Sequence, residues 1–155
     1  MTSNHPGLSA ADILSIEQTL ALFPHIFDND NGSDLDLLFT PDVVIETEKA
    51  RSVEGLEAVR AWVAAKTAAA PDHQTLNVVV FVAEDGSVRA RSRYLRITPT
   101  GETSNGDFLD VLVQTPRGWR IARRTTISRF PVRSVREDGT ALRDEWLPRA
   151  TGVRS

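Results

Sequence analysis

From residue 73 onward the chain consists of four successive strand-like runs, and this stretch most constrains what it can fold into. The runs cover 74–83, 87–97, 106–115 and 119–129, separated by "EDG", "TPTGETSN" and "TPRG". Gly, Pro, Asp and Asn in those links are turn chemistry, and links this short return each strand beside its predecessor as an antiparallel neighbour.

The first half has helical texture. Ser9 is a plausible N-cap with Asp12 three positions on, and Ile13, Ile16, Leu20, Phe23 and Phe27 follow at helical spacing. Pro24 interrupts that pattern and is expected to kink or loosen the last turns before the polar "DNDNGSD". A short helical piece, "DLDLLF", leads into a strand, "DVVIET". A helix over "LEAVRAWVAAKTAAA" follows, with Leu56, Val59, Trp62, Val63 and Lys66 at helical intervals. Helices first and sheet second predicts an α+β fold with helices packed on one face of a curved sheet.

The 155 residues suit one domain, and no internal repeat divides them. Residues 1–8 read as a loose leader, 9–130 as the domain, and 131–155 as an arm. Leu142, Trp146 and Leu147 give that arm something to bury, so it is expected to be partly ordered.

A net charge of -3 gives no basis for attraction to nucleic acid. The absence of cysteine excludes disulfides, thiolate metal sites, iron–sulfur clusters and a cysteine nucleophile. His5, His25 and His73 are far apart, and there is no G-x-S-x-G, H-E-x-x-H or glycine-rich phosphate loop. Neither a metal nor another cofactor is expected. No apolar stretch approaches membrane-spanning length and the start lacks signal-peptide character, so a soluble, cytoplasmic protein is expected.

Period-two alternation puts His73, Thr75, Asn77, Val79 and Phe81 on one face of their strand, against Gln74, Leu76, Val78, Val80 and Val82. The first face runs from polar to apolar, as a pocket wall would. On the next strand Ser92 and Tyr94 oppose Arg89, Arg91 and Arg93, an arginine face expected to be solvated or to meet an acidic partner. On the last strand Arg120, Ala122, Arg124, Thr126 and Ser128 alternate against Ile121, Arg123, Thr125, Ile127 and Arg129. Arg124 can thus share the His73 face, and Asp110 is its nearest acceptor. Plainer readings stand beside these. His73 fits a structural role, His25 and Asp28 can pair with each other, Phe23 and Phe27 are first a core stripe, and an Asp110–Arg124 pair can be purely structural.

The capped first helix ending in an aspartate, then "LFTPDVVIET", "VEGLEAVRAWV", "DHQTLNVVV", "GDFLDVLVQ" and "RGWRIARRTTI", resemble the SnoaL-like branch of the nuclear transport factor 2-like superfamily, of scytalone dehydratase and hexachlorocyclohexane dehydrochlorinase type. The resemblance spans residues 9 to 130 and implies a cone-shaped α+β barrel, a strongly curved mixed sheet wrapped around three helices and enclosing a deep apolar pocket. It implies His73 as a base held by Asp28, with Arg124 in the same cavity. Phe23, Phe27, Trp62, Phe81 and Phe108 would shape the pocket, with Asn77, Ser92, Tyr94, Asp110 and Thr126 as further substrate contacts. One departure is chemical: Phe23 and Phe27 stand where relatives often place a tyrosine or lysine, which leaves Tyr94 and Ser92 as the hydroxyl candidates.

The implied activity is that of a cofactor-independent lyase, isomerase or cyclase acting on a hydrophobic, oxygenated small molecule of polyketide or terpenoid origin. In such a dyad a neutral imidazole takes the proton while the carboxylate fixes its tautomer. The alternatives are a non-catalytic binding module of the same fold and an epoxide hydrolase-like ring opening by Asp110, Arg124 and Asn77. A homodimer is expected, through an outer sheet face carrying Leu76, Val78, Val80 and Val82.

Overall fold

The computed structural model describes residues 7–29, 31–47, 49, 51–131 and 146. Most of the expected leader and arm therefore lies outside the described residues.

Helix α1 spans Ala10–Phe27 and begins with the anticipated reciprocal cap. The Asp12 N–H donates to Ser9 Oγ at 3.1 Å, and the Ser9 N–H donates to Asp12 Oδ2 at 3.0 Å. The other Asp12 oxygen accepts from Trp119 Nε1 at 3.0 Å, which ties the helix start to the last strand. These hydrogen bonds, Ser9 first and Trp119 next, hold the Asp12 carboxyl below the usual aspartate range. Pro24 does not end the helix early: it runs unbroken to Phe27, and the Asp28 N–H donates to the Pro24 carbonyl at 2.9 Å. Proline removes only its own donor here, one turn before the helix stops anyway.

A 3-10 helix, Gly32–Leu37, occupies most of the second helical piece, and Phe39 already belongs to strand β1, Phe39–Glu46. Strand β2, Ser52–Glu54, folds back antiparallel on β1 and had no signal of its own in the sequence. Helix α2 covers Leu56–Ala64, shorter than its alanine-rich sequence suggests. The residue before Pro71 is biased away from helix, and the chain must turn there to enter the next strand. Lys66, just past the end of α2, donates through Nζ to the Phe27 carbonyl and so caps the end of α1.

Strands β3 (Asp72–Val82), β4 (Val88–Ile97), β5 (Thr103–Thr115) and β6 (Gly118–Phe130) are antiparallel neighbours, as their turns require. Strand β1 joins β6 in parallel, giving one mixed six-stranded sheet in the order β2-β1-β6-β5-β4-β3. The sheet curves around the three helices and stays open, with β2 and β3 as its edges. Its concave face and the helices share one core, which includes Ile16, Leu20, Leu35, Phe39, Val59 and Ile121.

Of the sheet's register shifts, two correct the expected alternation at the site. In β3 the register shifts between Leu76 and Val79, with Asn77 at φ 52°. One extra residue turns the remainder of the strand over. His73 and Thr75 keep the assigned face, whereas Val78 and Val80 now pack on the core and Asn77 and Val79 are exposed. Phe81 pairs with Arg89, on the face away from the cavity. In β6, Ile121 pairs with Leu112 but Arg123 with Val111, so the extra residue Ala122 lets both Ile121 and Arg124 point into the interior.

The arginine face finds its acid within the chain. Asp107 on β5 is fully buried, with Arg93 Nε at 2.9 Å, Arg91 at 3.4 Å and Arg129 at 3.6 Å. Trp146 packs on Leu109 and Ile127 beside this cluster, its ring 4.9 Å from the Arg89 guanidinium carbon. Among the described residues no helix is long and apolar enough to cross a membrane, which leaves β-barrels unaddressed.

Candidate active site

Asp28 caps the C-terminal end of α1, and His73 is the second residue of β3. Packing of that helix end on that strand brings them together. Asp28 Oδ2 accepts the His73 backbone N–H at 2.6 Å, and Oδ1 lies 2.8 Å from His73 Nδ1. The backbone bond fixes the carboxylate so that its second oxygen meets the ring. An ionised carboxylate only accepts, so it selects the Nδ1–H tautomer and leaves Nε2 as the basic nitrogen. Both side chains are withdrawn from solvent, at 18% and 6% exposure. The rings of Phe23, Phe27 and Tyr94 stand 6.0, 6.3 and 6.3 Å from the imidazole.

The dyad opens on a cavity of about 360 Å³. Phe23, Phe27, Trp62, Tyr94, Phe108, Thr126 and Arg124 all line it. Four expected contacts do not: Asn77 and Phe81 because of the bulge, Ser92 because it is buried beside Ala90 in the sheet, and Asp110 because it stands behind Arg124. Of the two hydroxyl candidates, Tyr94 is therefore the one in the cavity wall. His25 is exposed and takes no part.

Arg124 and Asp110 form a buried two-point pair, Nε to Oδ1 at 2.7 Å and Nη2 to Oδ2 at 2.8 Å. The guanidinium carbon lies 4.2 Å from the Phe23 ring centroid and 4.1 Å from that of Phe108. Its Nη1 is buried without a hydrogen-bond partner among the described residues. A charged donor that cannot lose its proton and has an unused N–H at a cavity wall is suited to an acceptor oxygen on a ligand.

Sequence reasoning missed four cations of the cavity lining: Lys49 and Arg51, which are exposed, and Lys66 and Arg96, which are half-buried. Two had a signal. Lys66 was the one cation on an apolar helical stripe, and Arg96 shares the Tyr94 face of β4 and pairs with His73 across the strands.

Tyr94 sits where it does because Gly106 lies opposite. A Cβ at Gly106 would stand 2.1 Å from the Ile127 carbonyl oxygen and 2.5 Å from the Tyr94 ring. The backbone oxygen cannot swing aside as a flexible side chain would. Gly106→Ala is expected to lower stability by about 2–3 kcal/mol and to displace the tyrosine. Urea unfolding together with the near-UV tyrosine signal checks this; an unchanged midpoint would contradict it.

Among the described residues no group of three His, Cys, Asp or Glu is arranged to hold a metal ion. An open, curved sheet around three helices is the nuclear transport factor 2-like class of fold. Within that class, the sequence model of the SnoaL-like domain matches residues 9–125, and the chain belongs to that family.

Solved structures agree on the fold. A nuclear transport factor 2-like protein with a cystatin-like fold from Novosphingobium aromaticivorans is 19% identical, with TM-score 0.69 over 85% of this chain and 87% of that one. A provisional scytalone dehydratase from the same species is 18% identical, with TM-score 0.67 over 80% and 91%. Aln2 from a Streptomyces species is 20% identical, with TM-score 0.66 over 78% and 93%. No curated protein matches the chain.

Proposed function

We propose that this protein is a cofactor-independent lyase, isomerase or cyclase that moves a proton on a hydrophobic, oxygenated small molecule of polyketide or terpenoid kind. The observation that carries the reading is the Asp28–His73 pair, 2.8 Å apart at the wall of an aromatic cavity. Nε2 would take a proton from carbon next to a carbonyl, and the enolate oxygen would accept from Arg124 Nη1. Return of the proton to another carbon isomerises the substrate, loss of a β-hydroxyl as water dehydrates it, and attack of the enolate carbon on a second carbonyl closes a ring. Membership in the SnoaL-like family and the likeness to a provisional scytalone dehydratase support this choice of chemistry.

The test needs no knowledge of the natural substrate. Bicyclic aromatic ketones incubated with the protein in D₂O should exchange their α-protons faster than in buffer, as followed by proton NMR. Binding with no exchange at any pH would favour the second reading, a binding module that has kept the fold. Phe23 and Phe27 motivate that reading, since neither donates a proton. Epoxide opening loses its basis: Asn77 is exposed on the bulge and Asp110 is tied to Arg124.

The proposal includes a homodimer through the outer face of the sheet. The bulge leaves Leu76 and Val79 outward, at 44% and 41% exposure, and Val113 is exposed on β5. Burying such side chains against a second copy removes apolar area from water. Sedimentation at micromolar concentration should give the mass of two chains; a monomer alone would contradict it.

A further inference from the structure

We infer that the ligand of this cavity carries a carboxylate, held at the mouth by Arg51 and Lys49 while its apolar body reaches inward to His73. This deepens the proposed function by giving the charge of the substrate. It rests on the cavity being the binding site and is independent of whether His73 acts as a base.

The charges lining the cavity are uneven. Among the described residues, Lys49, Arg51, Lys66, Arg96 and Arg124 line the cavity and Asp28 is the one acid beside them, although the chain as a whole carries -3. Arg124 is neutralised from behind by Asp110, and Lys66 and Arg96 are engaged within the chain, so Lys49 and Arg51 are the cations the proposal assigns to the ligand. Two of the cations rest against the aromatic walls: the Arg51 guanidinium carbon is 5.9 Å from the Trp62 ring centroid, and Lys66 Nζ is 4.9 Å from that of Phe27. Charge placed on the faces of wall rings stays at the entrance instead of extending into solvent. Lys66 is engaged with the Phe27 carbonyl and adds to the local field. Arg51 and Lys49 make no ion pair among the described residues, which leaves both able to meet a ligand anion.

Deeper in, Arg124 Nη1 and His73 offer a donor and a base for a neutral oxygen function. The wall runs from Arg51 through Trp62, Phe27 and Phe23 to Arg124, in steps of 5.9, 5.2, 5.0 and 4.2 Å, so two unlike poles stand at its ends. A compound with an aromatic body, a carbonyl or hydroxyl at one end and a carboxylate at the other matches both. A neutral ketone would leave the basic mouth unused.

The experiment uses the full chain, two probes and the fluorescence of Trp62 in the cavity wall. 2-Naphthoate and its methyl ester share one body and differ in charge. At low salt the acid should bind roughly tenfold tighter than the ester, and the gap should close at high salt as the ion pairs are screened. Arg51→Gln and Lys49→Gln, both at exposed positions, should each weaken naphthoate roughly threefold to fivefold and leave the ester unchanged. Equal affinity for the two probes, a loss that falls equally on both, or binding of neither overturns the inference. A His73→Ala protein should keep the preference for the acid. Preference intact without proton exchange would remove only the catalytic reading, and exchange intact without preference would remove only this one.

Discussion

Replacing His73 by alanine is expected to reduce α-proton exchange by about 10²–10⁴-fold, the range an acid–base group supplies, with the melting temperature close to that of the parent. The fold should survive because the His73 backbone N–H, which is unaffected by the change, makes the shorter of the two bonds to Asp28. Asp28→Asn tests the tautomer. Its amide oxygen can still accept that backbone N–H, so its NH₂ would then face the ring. The ring would have to accept at Nδ1, placing its proton on Nε2 and removing the base from the substrate side. Asn at 28 should therefore cost nearly as much activity as alanine at 73, although its shape is unchanged. NMR exchange rates measured beside thermal melts decide the matter. Full exchange in either variant would remove the dyad from the mechanism.

What the sequence made legible follows the range of the forces involved. The α1 cap is local: Ser9 and Asp12 satisfy each other within one turn, and the stripe Ile16, Leu20, Phe23 and Phe27 needs only the helical period. The four long strands were legible because their turn residues are strong punctuation. The two bulges were not, since they answer to the bending of a whole sheet around three helices. Asn77 carried the single local hint, being a residue that tolerates positive φ. Without the bulge, alternation assigns His73 correctly and misassigns Asn77 and Phe81 on the same strand. The Asp28–His73 contact spans 45 residues and came from resemblance to a family, not from periodicity. The cationic lining is assembled from the β1–β2 link, the residues just past α2 and the far end of β4, three segments whose proximity no local pattern encodes.

The largest expected effect on stability comes from Asp110→Ala. Arg124 and Asp110 are 1% and 0% exposed, so removing the acid leaves a guanidinium buried without its counter-charge. Arginine does not escape by losing a proton, and the rings of Phe23 and Phe108 offset only part of the lost pairing. A loss of about 3–5 kcal/mol is expected, a large share of the roughly 5–15 kcal/mol that holds a domain together. The double variant Asp110→Leu with Arg124→Met separates the pair's two duties. Apolar side chains of similar size need no desolvation of charge, so most of the lost stability should return. The Nη1 donor does not return, so exchange should stay low even in the restabilised protein. Urea unfolding of the single and double variants, with exchange measured on the double, checks both halves. A single variant that loses under about 1 kcal/mol would mean that solvent reaches Arg124 and that the pair behaves as a surface one. A double variant with normal exchange would leave the Arg124–Asp110 pair a purely structural role.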